Sequence, residues 1–117
     1  MTLSRLEDYL EHMHQASADA CSFVDGMSKS DFLQDKRTQQ AVIMSFVILG
    51  EASRKIMDSY PEFVADQPTI PWRSMRGMRN RITHGYFDTN LDLVWDTLTN
   101  ALPDLVRKIA HTRSQLG

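Results

Sequence analysis

Apolar residues recur at three- and four-residue steps along most of the chain, and no run alternates with period two long enough for a strand. Leu6, Tyr9, Leu10, Met13, Ala16, Ala20, Phe23, Val24 and Met27 form one stripe, predicting a helix over about residues 5–27. Ser4 and Glu7 stand at capping-box spacing at its start. After a polar break, Ser30 to Leu33 reads as a short turn of helix. A second long helix is expected from about Lys36 to Ser59. Its segment Ala41 to Leu49 is apolar on nearly every side, so it is expected to be the most buried part of the fold. Tyr60-Pro61 ends it, because proline disfavours helical geometry in the residue before it. A short turn follows around Glu62 to Ala65. Pro71 suits the first turn of a third helix, which stops at Gly85 in a left-handed cap. Asp88, Thr89 and Asn90 offer caps for a last helix over about 91–114, striped by Leu91, Val94, Trp95, Leu98, Leu102, Leu105 and Ile109 and kinked at Pro103. Long amphipathic segments with short connections predict an all-α, antiparallel bundle of four to five helices.

Composition narrows the picture. At 117 residues, 42% hydrophobic and 24% charged, residues 1–117 are expected to form one globular domain. Cys21 is the only cysteine, so neither an intramolecular disulfide nor a multi-cysteine metal site can form, and a reducing, cytoplasmic setting is expected. The N-terminal stretch enters an amphipathic pattern rather than a signal-peptide core, and no apolar stretch approaches the roughly 20 residues that span a bilayer. The formal charge of −2 argues against a generally basic nucleic-acid binder. Its distribution matters more. Between Pro71 and Phe87 lie Arg73, Arg76, Arg79, Arg81 and His84 and no acidic residue, whereas the rest of the chain is distinctly acidic. A local positive patch on an acidic body points to a specific anionic site.

That patch carries the candidate chemistry, within Arg79-Asn80-Arg81-Ile82-Thr83-His84-Gly85-Tyr86. On an ideal helix Trp72, Met75, Met78, Ile82 and Tyr86 share an arc of about 80° and read as core, with Arg79 at its border. Arg79 and His84 then lie about 140° apart. Either the helix breaks near Gly85 and the imidazole swings back, or the site combines residues of two subunits; the two-fold dimer is the preferred arrangement. An arginine fork holds phosphate oxygens and stabilises developing negative charge, and an imidazole exchanges protons near neutral pH. With Asn80 orienting either a phosphate or the imidazole, these residues suffice for cleavage of RNA without a metal or other cofactor, the ribose 2′-hydroxyl serving as nucleophile. The same residues also suit a helix face solvated by arginines and a histidine at a favourable C-terminus.

The octapeptide resembles the signature of HepT-like ribonuclease toxins of the HEPN superfamily: arginine, four residues, histidine, one residue, tyrosine. The likeness extends through Ile48-Leu49-Gly50-Glu51-Ala52, Ile70-Pro71-Trp72 and Leu93-Val94-Trp95, in order along most of the chain, although Thr83 stands where a more apolar residue is expected. The resemblance implies a four- to five-helix fold and a homodimer with its cleft at the interface. It further implies a metal-independent ribonuclease acting on cellular RNA, the toxin of a type VII toxin–antitoxin pair. By position it makes Arg79 and His84 catalytic and Asn80 supporting, with Arg73, Arg76 and Arg81 left to bind RNA. It also implies a partner, a minimal nucleotidyltransferase antitoxin that AMPylates the motif's tyrosine, here Tyr86. Added phosphates two residues from His84 would occupy the arginine patch and repel RNA. An alternative is a non-catalytic helical subunit whose patch binds a nucleotide for a transferase. A DNA-binding regulator is disfavoured, since the arginine helix is also a core helix.

Other polar residues carry less. His12 and His14 point about 200° apart and cannot share a metal, and His111 suits a helix C-terminus. Cys21 reads as a small core residue, and Met75 and Met78 as core that could also serve a dimer seam. Glu51 and Arg54 favour a local ion pair; Glu51 pairing with an arginine of the patch, or Arg54 extending the RNA surface, are the functional alternatives.

Overall fold

A computed structural model describes residues 2–116, with side chains from residue 5 onward. Helix α1 spans Thr2–Phe23, α2 Lys29–Gln34, α3 Lys36–Ser59, α4 Pro61–Ala65, α5 Trp72–His84, α6 Leu91–Asn100 and α7 Leu102–Leu116, with a 3₁₀ turn at Tyr86–Asp88. No strand occurs among the described residues. The all-α bundle expected from periodicity is the observed architecture.

The long helices lie side by side in the order α5, α3, α1, α7. Leu6, Leu10, Met13, Ala16 and Ala20 form the buried stripe of α1, and Val42, Phe46, Leu49 and Ile56 that of α3; Leu98, Leu102, Leu105 and Ile109 close the core from α6 and α7. Phe32 of α2 is fully buried and stacks obliquely on Trp95, with ring centroids 5.4 Å apart. Helix α5 packs chiefly against α3, so it stands at one edge with much of its circumference open.

Several boundaries depart from the sequence expectation, each for a local reason. Helix α1 ends at Phe23, four residues early, because Gly26 at φ +79° turns the chain and Ser28 starts α2. Ser28 and Asp31 form a complete capping box: the Asp31 amide donates to Ser28 Oγ at 3.1 Å, and the Ser28 amide to Asp31 Oδ2 at 3.0 Å. The capping box expected at Ser4 involves a side chain outside the described residues. Pro71 is the N-cap of α5 rather than part of its first turn. Gly85 ends α5 as expected but with φ −146°, not in the left-handed region. Pro103 does more than kink the last helix. Its missing N–H cannot reach back to Thr99, and the helix divides at Ala101 into α6 and α7. The Ala41–Leu49 segment is also less enclosed than expected. Val42, Ile43, Phe46 and Leu49 are buried, but Met44 and Ile48 are 57% and 41% exposed.

The start of α5 is held from two sides. Ser53 Oγ, fully buried in α3, donates to the Trp72 carbonyl at 3.0 Å. The Trp72 indole N–H donates to the Gln67 carbonyl, and Thr112 of α7 donates from its hydroxyl to Gln67 Oε1. Together these bonds fix the arginine helix against α3 and anchor its approaching loop on α7.

Candidate active site

The site begins with a glycine. A Cβ built on Gly50 would collide with the Cβ of Arg79 and lie 2.7 Å from the Met75 carbonyl oxygen, so α3 and α5 approach as closely here as backbones allow. Ser53 facing Trp72 and Gly50 facing Arg79 set the two helices antiparallel.

This close approach places the Arg79 guanidinium beside Glu51. Arg79 Nη2 lies 3.3 Å from Glu51 Oε2, and Nη1 donates to Asn80 Oδ1 at 3.1 Å. Arg79 Nε is buried, and among the described residues no acceptor reaches it. Glu51 also receives two N–H groups of Arg54, the shorter at 2.7 Å to Oε1, and Arg54 continues to Asp58 at 3.1 Å. Hydrogen bonding from Arg54 is the main reason that the Glu51 carboxyl titrates below its ordinary 4.5, with Arg54 and Arg79 charges adding to it. The local Glu51–Arg54 pair expected from sequence therefore exists, and so does the pairing of Glu51 with an arginine of the patch.

Helix α5 runs unbroken through His84. Within one chain Arg79 and His84 thus remain about 140° apart around the axis and about 7.5 Å apart along it. The break at Gly85 comes one residue too late to swing the imidazole back. His84 is exposed on the last turn, and among the described residues nothing pairs with it. Arg73, Asn80 and Thr83 are likewise exposed and Arg76 half-buried, so the outward face of α5 is an open polar strip leading to His84.

One residue sits differently from the helical projection. Tyr86 lies beyond the end of α5, so the core stripe does not extend to it; it is 46% exposed, with its ring edge-on to that of Phe87 at 5.9 Å. Arg81 faces away from Arg79, into a groove between α5 and α6 whose two hollows, of about 290 and 350 Å³, share Met78, Arg81 and Leu93. Met75 is core, whereas Met78 is half-buried and lines this groove. No three His, Cys, Asp or Glu side chains converge to hold a metal among the described residues.

Residues 13–112 match the family described as ribonuclease HepT-like. A protein of Thermococcus cleftensis named "Probable ribonuclease HepT" is 36% identical over 107 residues, covering 92% of this chain and 94% of its own. One of Methanocaldococcus jannaschii, named as an inferred RNase, is 35% identical over 104 residues, covering 89% and 80%. A third, of Caldanaerobacter subterraneus and named likewise, is 32% identical over 101 residues, covering 86% and 88%. No solved structure matches the chain. An arginine–histidine motif on an edge helix, on an all-α HEPN-like bundle with relatives matching along nearly its full length, places this chain in the HepT-like ribonuclease family.

Proposed function

We propose that the chain is the toxin of a toxin–antitoxin pair, an endoribonuclease that cleaves cellular RNA at a cleft completed by a second copy. The observation that carries this reading is the placement of Arg79 and His84: both reach solvent from one unbroken helix, yet about 140° apart around its axis. Antiparallel pairing of two α5 helices about a two-fold axis would bring Arg79 of one protomer towards His84 of its partner. Support comes from α3, where exposed Met44 and Ile48 share a helical face with Glu51 and so flank the Arg79 side of α5 with uncovered apolar surface.

In the proposed reaction the ribose 2′ oxygen attacks the adjacent phosphorus and the bond to the 5′ oxygen breaks, leaving a 2′,3′-cyclic phosphate. One proton passes in net from the 2′ oxygen to the 5′ oxygen, with His84 as its carrier. Arg79 balances the charge that grows on the phosphorane oxygens, Asn80 holds the guanidinium, and Arg73, Arg76 and Arg81 bind the RNA backbone. No metal is required. Silencing is assigned to AMPylation of Tyr86 by a nucleotidyltransferase antitoxin. Its exposed ring is open to a transferase, and a phosphodiester there sets negative charge beside the RNA path.

Purified protein should cleave RNA in excess EDTA, and Arg79→Ala or His84→Ala should each cut kcat at least 100-fold with the oligomeric state unchanged. Full activity in either variant would remove the reading. Co-production with the transferase should add the mass of one or more AMP units, and Tyr86→Phe should abolish the gain.

A further inference from the structure

The proposed reaction uses Arg79, yet that side chain is not free to search for a phosphate. One Nη carries the Glu51 contact, the other the Asn80 bond, and Nε is enclosed. A guanidinium has five N–H donors in a rigid plane, so these contacts fix the plane while leaving a donor on each Nη for a ligand. Glu51 is itself immobilised, because Arg54 holds it through two N–H groups and Arg54 is braced by Asp58. The Gly50 contact sets the distance at which Glu51 and Arg79 meet.

Resting on the ribonuclease reading above, we infer that Glu51 is a positioning residue for Arg79, holding its guanidinium plane towards the scissile phosphate, with Arg54 and Asp58 as the brace behind it. Glu51 does not touch RNA and moves no proton. Because it carries negative charge near a polyanion, its removal does not weaken RNA attraction; what is lost is orientation at the reacting phosphorus. The effect therefore falls on kcat rather than on KM, since a displacement of about 1 Å in a reacting group costs on the order of 100-fold.

The test uses the full chain, a fluorescent RNA substrate, and the variants Glu51→Gln, Glu51→Ala and Arg79→Ala. Glu51→Gln keeps the shape but only one of the two acceptor oxygens, and should lose about 10-fold in kcat with KM within threefold; Glu51→Ala should lose about 100-fold. A second readout is independent of turnover: the buried Nε–H of Arg79 should give a slowly exchanging proton signal in the wild type, and Glu51→Ala should speed its exchange at least 10-fold. Should Glu51→Ala fail to fold, the Gln variant carries both measurements. Wild-type kcat in the Glu51 variants alongside an inactive Arg79→Ala would overturn the inference, as would a loss confined to KM. An active Arg79→Ala would instead overturn the ribonuclease site on which it rests.

Discussion

Gly50 and Gly77 both lie inside helices, yet they answer differently to a methyl group. At Gly50 the added carbon meets Arg79 Cβ and the Met75 carbonyl, neither of which can turn aside, so α3 and α5 must part. Overpacking of this kind costs about 1–3 kcal/mol. At Gly77 the nearest atom to a new Cβ is Arg81 Nη1 at 3.6 Å, the end of a flexible side chain. There the gain in helix propensity, about 0.5–1 kcal/mol, should prevail. Gly50→Ala is therefore expected to lower the denaturant midpoint and RNA cleavage together, because it displaces Arg79, and Gly77→Ala to raise the midpoint. Equal effects of the two changes on chemical denaturation would contradict this account. The ion pair beside Gly50 matters less for stability. Both partners are about a third exposed, and such pairs contribute at most about 1 kcal/mol. Its consequence is geometric.

Helix ends decide the behaviour of the elements. Asp35 terminates the turn after α2 and caps α3, accepting the Thr38 amide at 3.1 Å and the Thr38 hydroxyl at 2.8 Å. The Thr38 amide is the first cause that holds the Asp35 carboxyl below its ordinary 3.8. A carboxyl depressed by folding contributes stability that is complete above its unfolded value and disappears as pH falls through its folded one. Glu51, also depressed from 4.5, acts in the same sense. Melting temperature should thus be flat near neutrality and fall below about pH 4.5. Asp35→Asn should keep the cap but flatten part of that acid limb, whereas Asp35→Ala should lower the melting temperature at neutral pH as well. An acid limb identical in all three proteins would show that the cap charge is not coupled to folding. The same helix ends mark how far sequence could be read. The span of α3 was legible because Lys36 and Tyr60-Pro61 bracket a continuous apolar pattern. The stop of α5 at Gly85 was legible too, but not the conformation that takes Tyr86 off the core stripe, since periodicity says nothing beyond the last helical residue. The Glu51–Arg54 pair follows from a three-residue spacing. The Glu51–Arg79 pair does not, because it depends on Gly50 bringing together residues 28 positions apart.

At the scale of the whole molecule, α5 is an edge helix whose outward polar strip is open. If Arg79 and His84 act on one phosphate across a two-fold axis, two inactive chains should repair each other. Consider a heterodimer of an Arg79→Ala chain with a His84→Ala chain. One cleft combines the altered arginine position with the altered histidine position and is dead twice over. The other draws Arg79 from the His84→Ala chain and His84 from the Arg79→Ala chain, and is complete. Random mixing makes about half of the dimers mixed, each with one working cleft of two, so co-produced chains should recover about a quarter of wild-type kcat. A cleft built within one chain predicts no recovery, because every cleft would then lack one group. Differential tags allow the mixed dimer to be isolated, where recovery should rise to about one half. Because each parent alone is inactive, any signal above background comes from sharing. Its absence in an isolated mixed dimer would overturn the shared cleft and return both groups to a single chain, bridging the 140° separation along α5.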